Sequence, residues 1–153
     1  MKIENFSEEF LEEMAELFVE VYSKPGYEWN IDTAKSHLEQ YYKFFPDFNL
    51  MALSDTGEIM GAIFCSIDPQ YTSNVLFIDS LQVKDTFRKQ QVGKKLFAVV
   101  ANKAKEQGFS GIQLLADERF DFPKNWYEKL GFKKTNWVEY ESSLSDMTMN
   151  VLD

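Results

Sequence analysis

The clearest chemical signal in this 153-residue chain lies between residues 81 and 96. The run Leu81-Gln82-Val83-Lys84-Asp85-Thr86-Phe87-Arg88-Lys89-Gln90-Gln91-Val92-Gly93-Lys94-Lys95-Leu96 leaves a predicted strand, crosses a polar loop with one glycine and enters a predicted helix flanked by bases. Unpaired N–H groups at the start of such a helix, its dipole, and Arg88 or Lys94 together suit a pyrophosphate. The spaced glycines and Lys-Ser/Thr pair of a Walker loop are missing, and so is the Gly-x-Gly-x-x-Gly of a dinucleotide fingerprint. Charge is concentrated here too. Residues 84–105 hold seven Lys and Arg against Asp85 alone, a net +6, whereas the whole chain is −9 and the other 131 residues therefore carry −15. A short basic segment on an acidic protein reads either as a specific anion site or as a solvated, Lys-rich helix face.

Other chemistries are excluded by what the chain lacks. One cysteine, Cys65, cannot form an intrachain disulfide and sits in an apolar run like a core residue. With one histidine, His37, beside that one cysteine, no metal site is expected. A Ser-His-Asp hydrolase would need His37, which lies in a helical pattern, and no nucleophile elbow is present. The acidic balance argues against nucleic-acid binding. No apolar run approaches the roughly 18 residues of a membrane span, and Met1-Lys2-Ile3-Glu4 opens without a signal-peptide core, so no membrane partner and a cytoplasmic location are expected. Aromatic residues reach 16%, enough for a dense core, so disorder is excluded and one domain over residues 1–153 is expected.

The elements that must position the anion loop follow from periodicity and punctuation. Lys2–Phe6 reads as a strand. Phe10, Met14, Leu17, Phe18 and Val21 recur at helical spacing after Ser7, up to Pro25-Gly26. Ala34, Leu38, Tyr41 and Phe45 mark a second helix starting near Asp32 and stopping before Pro46. Phe48–Leu53 and Glu58–Ile67 flank Ser54-Asp55-Thr56-Gly57, a hairpin signal, and Asn74–Val83 is a third strand of this group. Gly93–Gln107 is the strongest helix, stopped by Gly108; Ile112–Ala116 is a short apolar strand. Pro123 opens a helix over Lys124–Leu130 that Gly131 ends, and Phe132–Ser142 and Met147–Leu152 read as closing strands. The order is β-α-α-β-β-β-α-β-α-β-β, an α/β fold whose 74–116 unit must be a right-handed parallel crossover if both strands share a sheet. Ligands of such sheets sit at strand carboxyl ends, beside the following helix N-terminus.

Two motifs in this order resemble the GNAT superfamily of N-acetyltransferases. Its acyl-CoA motif, Arg/Gln-x-x-Gly-x-Gly/Ala, is met by Arg88-Lys89-Gln90-Gln91-Val92-Gly93, with Gln91 in place of the middle glycine. Gln91 gives up that glycine's easy access to positive φ and its side-chain-free approach to a phosphate. The more specific match is Trp126-Tyr127-Glu128-Lys129-Leu130-Gly131-Phe132, against Phe/Tyr-Tyr-Glu-Lys-x-Gly-Phe. The resemblance spans nearly the whole chain and implies a GNAT-type mixed, splayed central sheet. It implies acetyl-CoA as co-substrate, held where strands 74–83 and 111–116 part, with backbone groups of Leu81, Gln82 and Val83 on the pantetheine. Arg88, Lys89, Gln90, Gln91, Val92, Gly93 and Lys94 form its pyrophosphate loop, and no metal is needed. Tyr127 matches the family tyrosine that protonates the departing thiolate. Asp79 falls where several relatives place a catalytic Glu, and strict alternation would put it on the side of Leu81 and Val83, with Ser80 and Gln82 opposite.

The acceptor side carries less pattern. Family pockets are built by the link between the first two helices, the loop after Glu58–Ile67 and the closing strands, where Tyr27, Glu28, Trp29, Asp68, Asp117 and Glu118 supply aromatic and acidic groups. The link Lys24-Pro25-Gly26-Tyr27-Glu28-Trp29 is similar to that of aminoglycoside 6′-N-acetyltransferase-like members. The expected activity is acetyl transfer from acetyl-CoA to a primary amine of a small, cationic acceptor, by direct attack in a ternary complex. The alternatives are a protein N-terminal or lysine acetyltransferase, and a catalytically silent acyl-CoA-binding fold. The family habit of pairing through closing strands makes a homodimer compatible with Trp137 and Tyr140.

Overall fold

A computed structural model of the chain describes residues 1–23, 26, 28–67, 75–136 and 138. Two compact units emerge, Met1–Leu115 and Ala116–Asp153. In the first, five strands form one sheet in the order β1 (Lys2–Asn5), β2 (Leu50–Leu53), β3 (Ile59–Ile67), β4 (Val75–Val83) and β5 (Gly111–Leu114). The first three pairings are antiparallel and β4–β5 is parallel. Helices α1 (Leu11–Tyr22) and α2 (Ile31–Phe44) precede β2, and α3 (Val92–Glu106) makes the crossover from β4 to β5.

The periodicity of the sequence decides which face each helix covers. Met14, Phe18 and Leu38 of α1 and α2 pack with Met51, Ala62 and Phe64 of the sheet. Leu96 and Val100 of α3 pack with Leu50, Ile63, Leu76 and Ile78. Fully burying each such side chain is worth roughly 1.5–3 kcal/mol, so both layers are strongly driven. Truncating the fully buried Phe64 to alanine would cost about 3–5 kcal/mol.

Local chemistry moves some element ends away from the predicted ones. Helix α2 begins at Ile31 because Asn30 and Thr33 make a reciprocal cap: Asn30 Oδ1 accepts the Thr33 N–H at 2.9 Å and Thr33 Oγ1 accepts the Asn30 N–H at 3.2 Å. Strand β2 begins at Leu50, after a 3-10 turn at Pro46–Phe48, because Asn49 is used as a buried tie. Its amide donates to the carbonyls of Tyr41 and Phe45 and its Oδ1 accepts the Cys65 N–H at 2.7 Å, joining α2 to β3. The predicted hairpin turn forms, with Gly57 at φ +86°.

Two backbone features of β3 and β4 shape the site. At Gly61 a Cβ would stand 2.5 Å from the Gln82 carbonyl oxygen, so only glycine lets the strands approach this closely. Further along, Phe64 pairs with Ser80 and Cys65 with Ile78, which leaves Asp79 unopposed as the extra residue of a β-bulge.

In the second unit α4 spans Asp121–Lys129, with Phe122 in extended conformation so that regular helix begins at Pro123, as predicted. Residues 132–136 and 138 carry no strand; the rest of the two predicted closing strands lies outside the described residues. Among the described residues no helix is long and apolar enough to cross a membrane, and no cluster of His, Cys, Asp and Glu is placed to hold a metal.

Candidate active site

The site begins where β4 loses its neighbour. Pairing with β5 runs from Val75↔Gly111 to Ile78↔Leu114 and stops, one residue before the bulge, while β4 continues to Val83. The Lys84 N–H donates to the Met60 carbonyl at 3.0 Å. In an antiparallel ladder bonded residues alternate, so Ser80 and Gln82 bond toward β3 and the backbone groups of Leu81 and Val83 point to the open edge. Tyr22 of α1 confirms that direction. Its hydroxyl accepts the Leu81 N–H at 3.2 Å and lies 3.3 Å from the Leu81 carbonyl oxygen, to which it donates.

The loop after β4 turns twice through the left-handed region, at Lys89 (φ 63°) and Gln91 (φ 64°, ψ 15°). Gln91 therefore occupies the conformation for which the family motif uses glycine, and does so against a cost of about 1–2 kcal/mol for a residue with a Cβ. It is the N-cap of α3 yet makes no side-chain capping bond, and the first intrahelical bond is Lys95 N–H to Gln91 O at 3.0 Å. The amides of Val92, Gly93 and Lys94 precede that bond and are left to point out of the helix end. A Cβ at Gly93 would lie 3.5 Å from Val83 Cγ2, an ordinary contact, so the protein fold tolerates one more carbon there. Arg88 is half-exposed and pairs with Asp85 at 2.8 Å; the Gln90 side chain donates to the Thr86 carbonyl at 3.2 Å. An open strand edge leading to uncapped helix amides fits an extended amide chain ending in a pyrophosphate, the shape of CoA.

On the α1/α2 side of β4 lies a cavity of about 330 Å³. Helix α1 contributes Phe18 and Tyr22, the following link Trp29, α2 His37 and Tyr41, and β4 Phe77, Ile78, Asp79 and Ser80, with Leu115 at the rim. The bulge corrects the alternation expected for β4. Leu76 and Ile78 face the α3 layer, and after Asp79 that face is taken by Leu81 and Val83, so Asp79 joins Ser80 on the cavity wall. Burial raises the Asp79 carboxyl above its ordinary value, against a hydrogen bond from Ser66 that favours the anion. The rings pack on one another: Phe18 lies edge-on to Trp29 at 4.9 Å, and His37 stands 5.3 Å from both Trp29 and Tyr41. Ser23 Oγ fixes the Trp29 backbone by accepting its N–H at 2.8 Å. Desolvation lowers the His37 pKa and raises that of Tyr41. The Ser80 hydroxyl is buried and has no hydrogen-bond partner.

The remaining predicted residues are placed as follows. Glu28 is exposed and accepts the Gly26 N–H at 3.1 Å. Asp117 holds Arg119, with its Oδ2 2.6 Å from the guanidinium, and Glu118 pairs with Lys134. Tyr27 and Asp68 lie outside the described residues. In the second unit Tyr127 packs against Trp126 and Phe132, and burial lifts its phenol to about 12, so the hydroxyl is protonated at neutral pH. Phe18, Tyr22, His37, Tyr41, Phe77 and Ser80 were not expected in a site. The available signal was the pair of four-residue steps, Phe18/Tyr22 and His37/Tyr41, which put two aromatic groups on one face of each helix.

Residues 11–132 match the sequence profile of the Acetyltransferase (GNAT) family. The chain belongs to that family. No curated protein sequence matches it. Among solved structures, this GNAT chain is similar to an aminoglycoside N-acetyltransferase in complex with CoA, with 22% identity, 94% of each chain covered and a TM-score of 0.76. An aminoglycoside 6′-N-acetyltransferase from Acinetobacter haemolyticus follows at 21% identity, covering 94% of this chain and 98% of its own, with a TM-score of 0.75. A transcriptional regulator from Bacillus halodurans C-125 is as similar, at 22% identity, 93% and 99% coverage and a TM-score of 0.75. At such identities the GNAT fold is what these structures share.

Proposed function

We propose that this GNAT protein transfers an acetyl group from acetyl-CoA to a primary amine bound in the cavity beside Asp79. The observation that carries the reading is the open edge of β4 at Leu81 and Val83, which runs directly into the uncapped amides of α3. Acetyl-CoA supplies an acyl thioester whose carbonyl carbon accepts the amine. The backbone of Leu81, Gln82 and Val83 aligns the pantetheine as an added strand, and the N–H groups of Val92, Gly93 and Lys94 hold the pyrophosphate with Arg88, Lys89, Gln90 and Gln91 around it. Tyr22 yields the Leu81 groups as that strand is added.

An amine must be neutral to attack. Asp79 takes the ammonium proton on its carboxylate, directly or through a water, and its raised pKa brings it closer to the task at neutral pH. Tyr127 gives its phenolic proton to the leaving thiolate; its depth keeps that proton in place until it is needed. Tyr27, Glu28, Trp29, Asp68, Asp117 and Glu118 remain the residues proposed around the acceptor, with Trp29 on the cavity wall.

A catalytically silent, acyl-CoA-sensing role is the second reading, favoured by the Gln91 side chain where the family motif has glycine. Calorimetry with acetyl-CoA and a thiol-release assay over an amine panel separate the two. Binding with release supports transfer, binding without release across the panel supports the sensor, and absence of binding removes both.

A further inference from the structure

We infer that the acceptor is an amine with a compact, aromatic body. This rests on the acyl-transfer reading above and narrows it to a substrate class. The groups of the cavity wall that can carry charge are Asp79, His37, Tyr22 and Tyr41. Asp79 is the carboxylate among these described groups, and burial disfavours the charged forms of His37 and Tyr41. One carboxylate at the bulge matches one ammonium. Around that carboxylate the described wall is ring surface from Phe18, Trp29 and Tyr41.

The walls also select by shape. Phe18, Trp29 and His37 meet at centroid distances of 4.9–5.3 Å, and Ser23 pins Trp29 through both its N–H and its carbonyl, so the apolar surface is formed in advance. A ring placed there gains edge and face contacts. The volume is at the small end of the roughly 300–1,000 Å³ usual for ligand pockets, room for one or two rings and a short chain. The buried, unpartnered Ser80 hydroxyl next to Asp79 supplies a second polar contact for the same nitrogen. With the nitrogen at Asp79, the ring lies toward α1 and α2. The reaction forms one N–C bond and breaks one C–S bond; one ammonium proton passes to Asp79, the thiolate takes the Tyr127 proton, and the second proton lost from nitrogen as the amide forms goes to solvent, which returns one to the Tyr127 phenolate.

The test measures thiol release from acetyl-CoA with 2-phenylethylamine, tryptamine, n-propylamine, spermidine and kanamycin, for the wild type and for Trp29→Ala and Trp29→Phe. We expect kcat/KM for the two aromatic amines at least about 10-fold above that for the others, a ratio within reach of pocket contacts alone. Trp29→Ala should raise KM for the aromatic amines and remove their advantage over n-propylamine, with kcat changed little, and Trp29→Phe should restore most of it. Preference for spermidine or kanamycin, or an aromatic advantage unchanged in Trp29→Ala, overturns the inference and leaves acyl transfer standing. If no amine releases thiol, calorimetric titration with 2-phenylethylamine decides: no binding to the wild type overturns the inference. Absence of acetyl-CoA binding, measured separately, defeats the transfer reading instead.

Discussion

The two halves of this site are made of different material. From Leu81 to Lys94 the protein presents backbone: an open strand edge, two left-handed residues and a turn of helix amides. Across β4, in the cavity, it presents side chains drawn from α1, the link, α2 and β4 itself. A surface of main-chain groups recognises what is constant in a co-substrate and tolerates exchange of its side chains. A surface of side chains recognises whatever they happen to be. Substitutions should therefore act in opposite ways, with added bulk harmful in the first half and lost groups harmful in catalysis and acceptor binding.

The largest effect is expected at Tyr127, the proposed general acid. Tyr127→Phe should lower kcat by about 10- to 1,000-fold, below the upper end for general-acid assistance because a thiolate already leaves well. Acetyl-CoA affinity should stay within a few-fold by calorimetry, since the ring still packs on Trp126 and Phe132. An unchanged kcat would make Tyr127 a packing residue.

Next comes bulk in the backbone half. Gly93→Val should weaken acetyl-CoA binding by at least about 10-fold (~1.4 kcal/mol) while Gly93→Ala keeps or slightly raises the melting temperature, because its Cβ meets Val83 at an ordinary distance and alanine is the better helix former. Equal affinity in Gly93→Val would show that no phosphate approaches the α3 amides closely.

Gln91→Gly probes the same loop with the opposite sign. Relieving a left-handed residue should raise stability by up to about 1 kcal/mol, less the entropy glycine adds to the unfolded chain. Affinity for acetyl-CoA should be equal or better. Lost binding would make the Gln91 side chain a ligand in its own right.

The smallest stability effect concerns Asp79 and is a pH dependence. Burial raises its carboxyl, so the native state holds the proton more tightly than the unfolded chain, whose carboxyl titrates near 3.9. Stability from this group is complete below that value and is lost as pH rises through the raised native one. Asp79→Asn should thus melt higher than the wild type at neutral pH and lose the advantage below about pH 4. Activity should move the other way, falling most at neutral pH and partly recovering at high pH, where more amine is neutral.

The same contrast explains how much was readable beforehand. Helices α1 to α3 and the hairpin follow from spacing and from Gly and Pro, and the strand–loop–helix passage from β4 to α3 from an apolar run, polar residues and a glycine in consecutive residues. Such signals are local. The bulge at Asp79 is not, because it exists only in the register between β3 and β4, and it reverses the face that simple alternation assigns. The capping by Asn30 and the buried Asn49 displaced two element ends for similarly specific reasons. His37 and Tyr41 read as ordinary helix positions, and they enter the cavity only because α2 lies beside α1 over that stretch of β4. Gln91 could be seen as a departure from the family motif, but that it keeps the motif's left-handed backbone is visible only in the fold.

Amide hydrogen exchange with and without acetyl-CoA tests the backbone-built half most directly. Exchange at Val83, Val92, Gly93 and Lys94 should slow more on ligand addition than exchange elsewhere in residues 1–115, because these N–H groups become donors to the bound molecule. Binding of acetyl-CoA with those four amides unchanged would contradict the claim that the β4 edge and the start of α3 hold it.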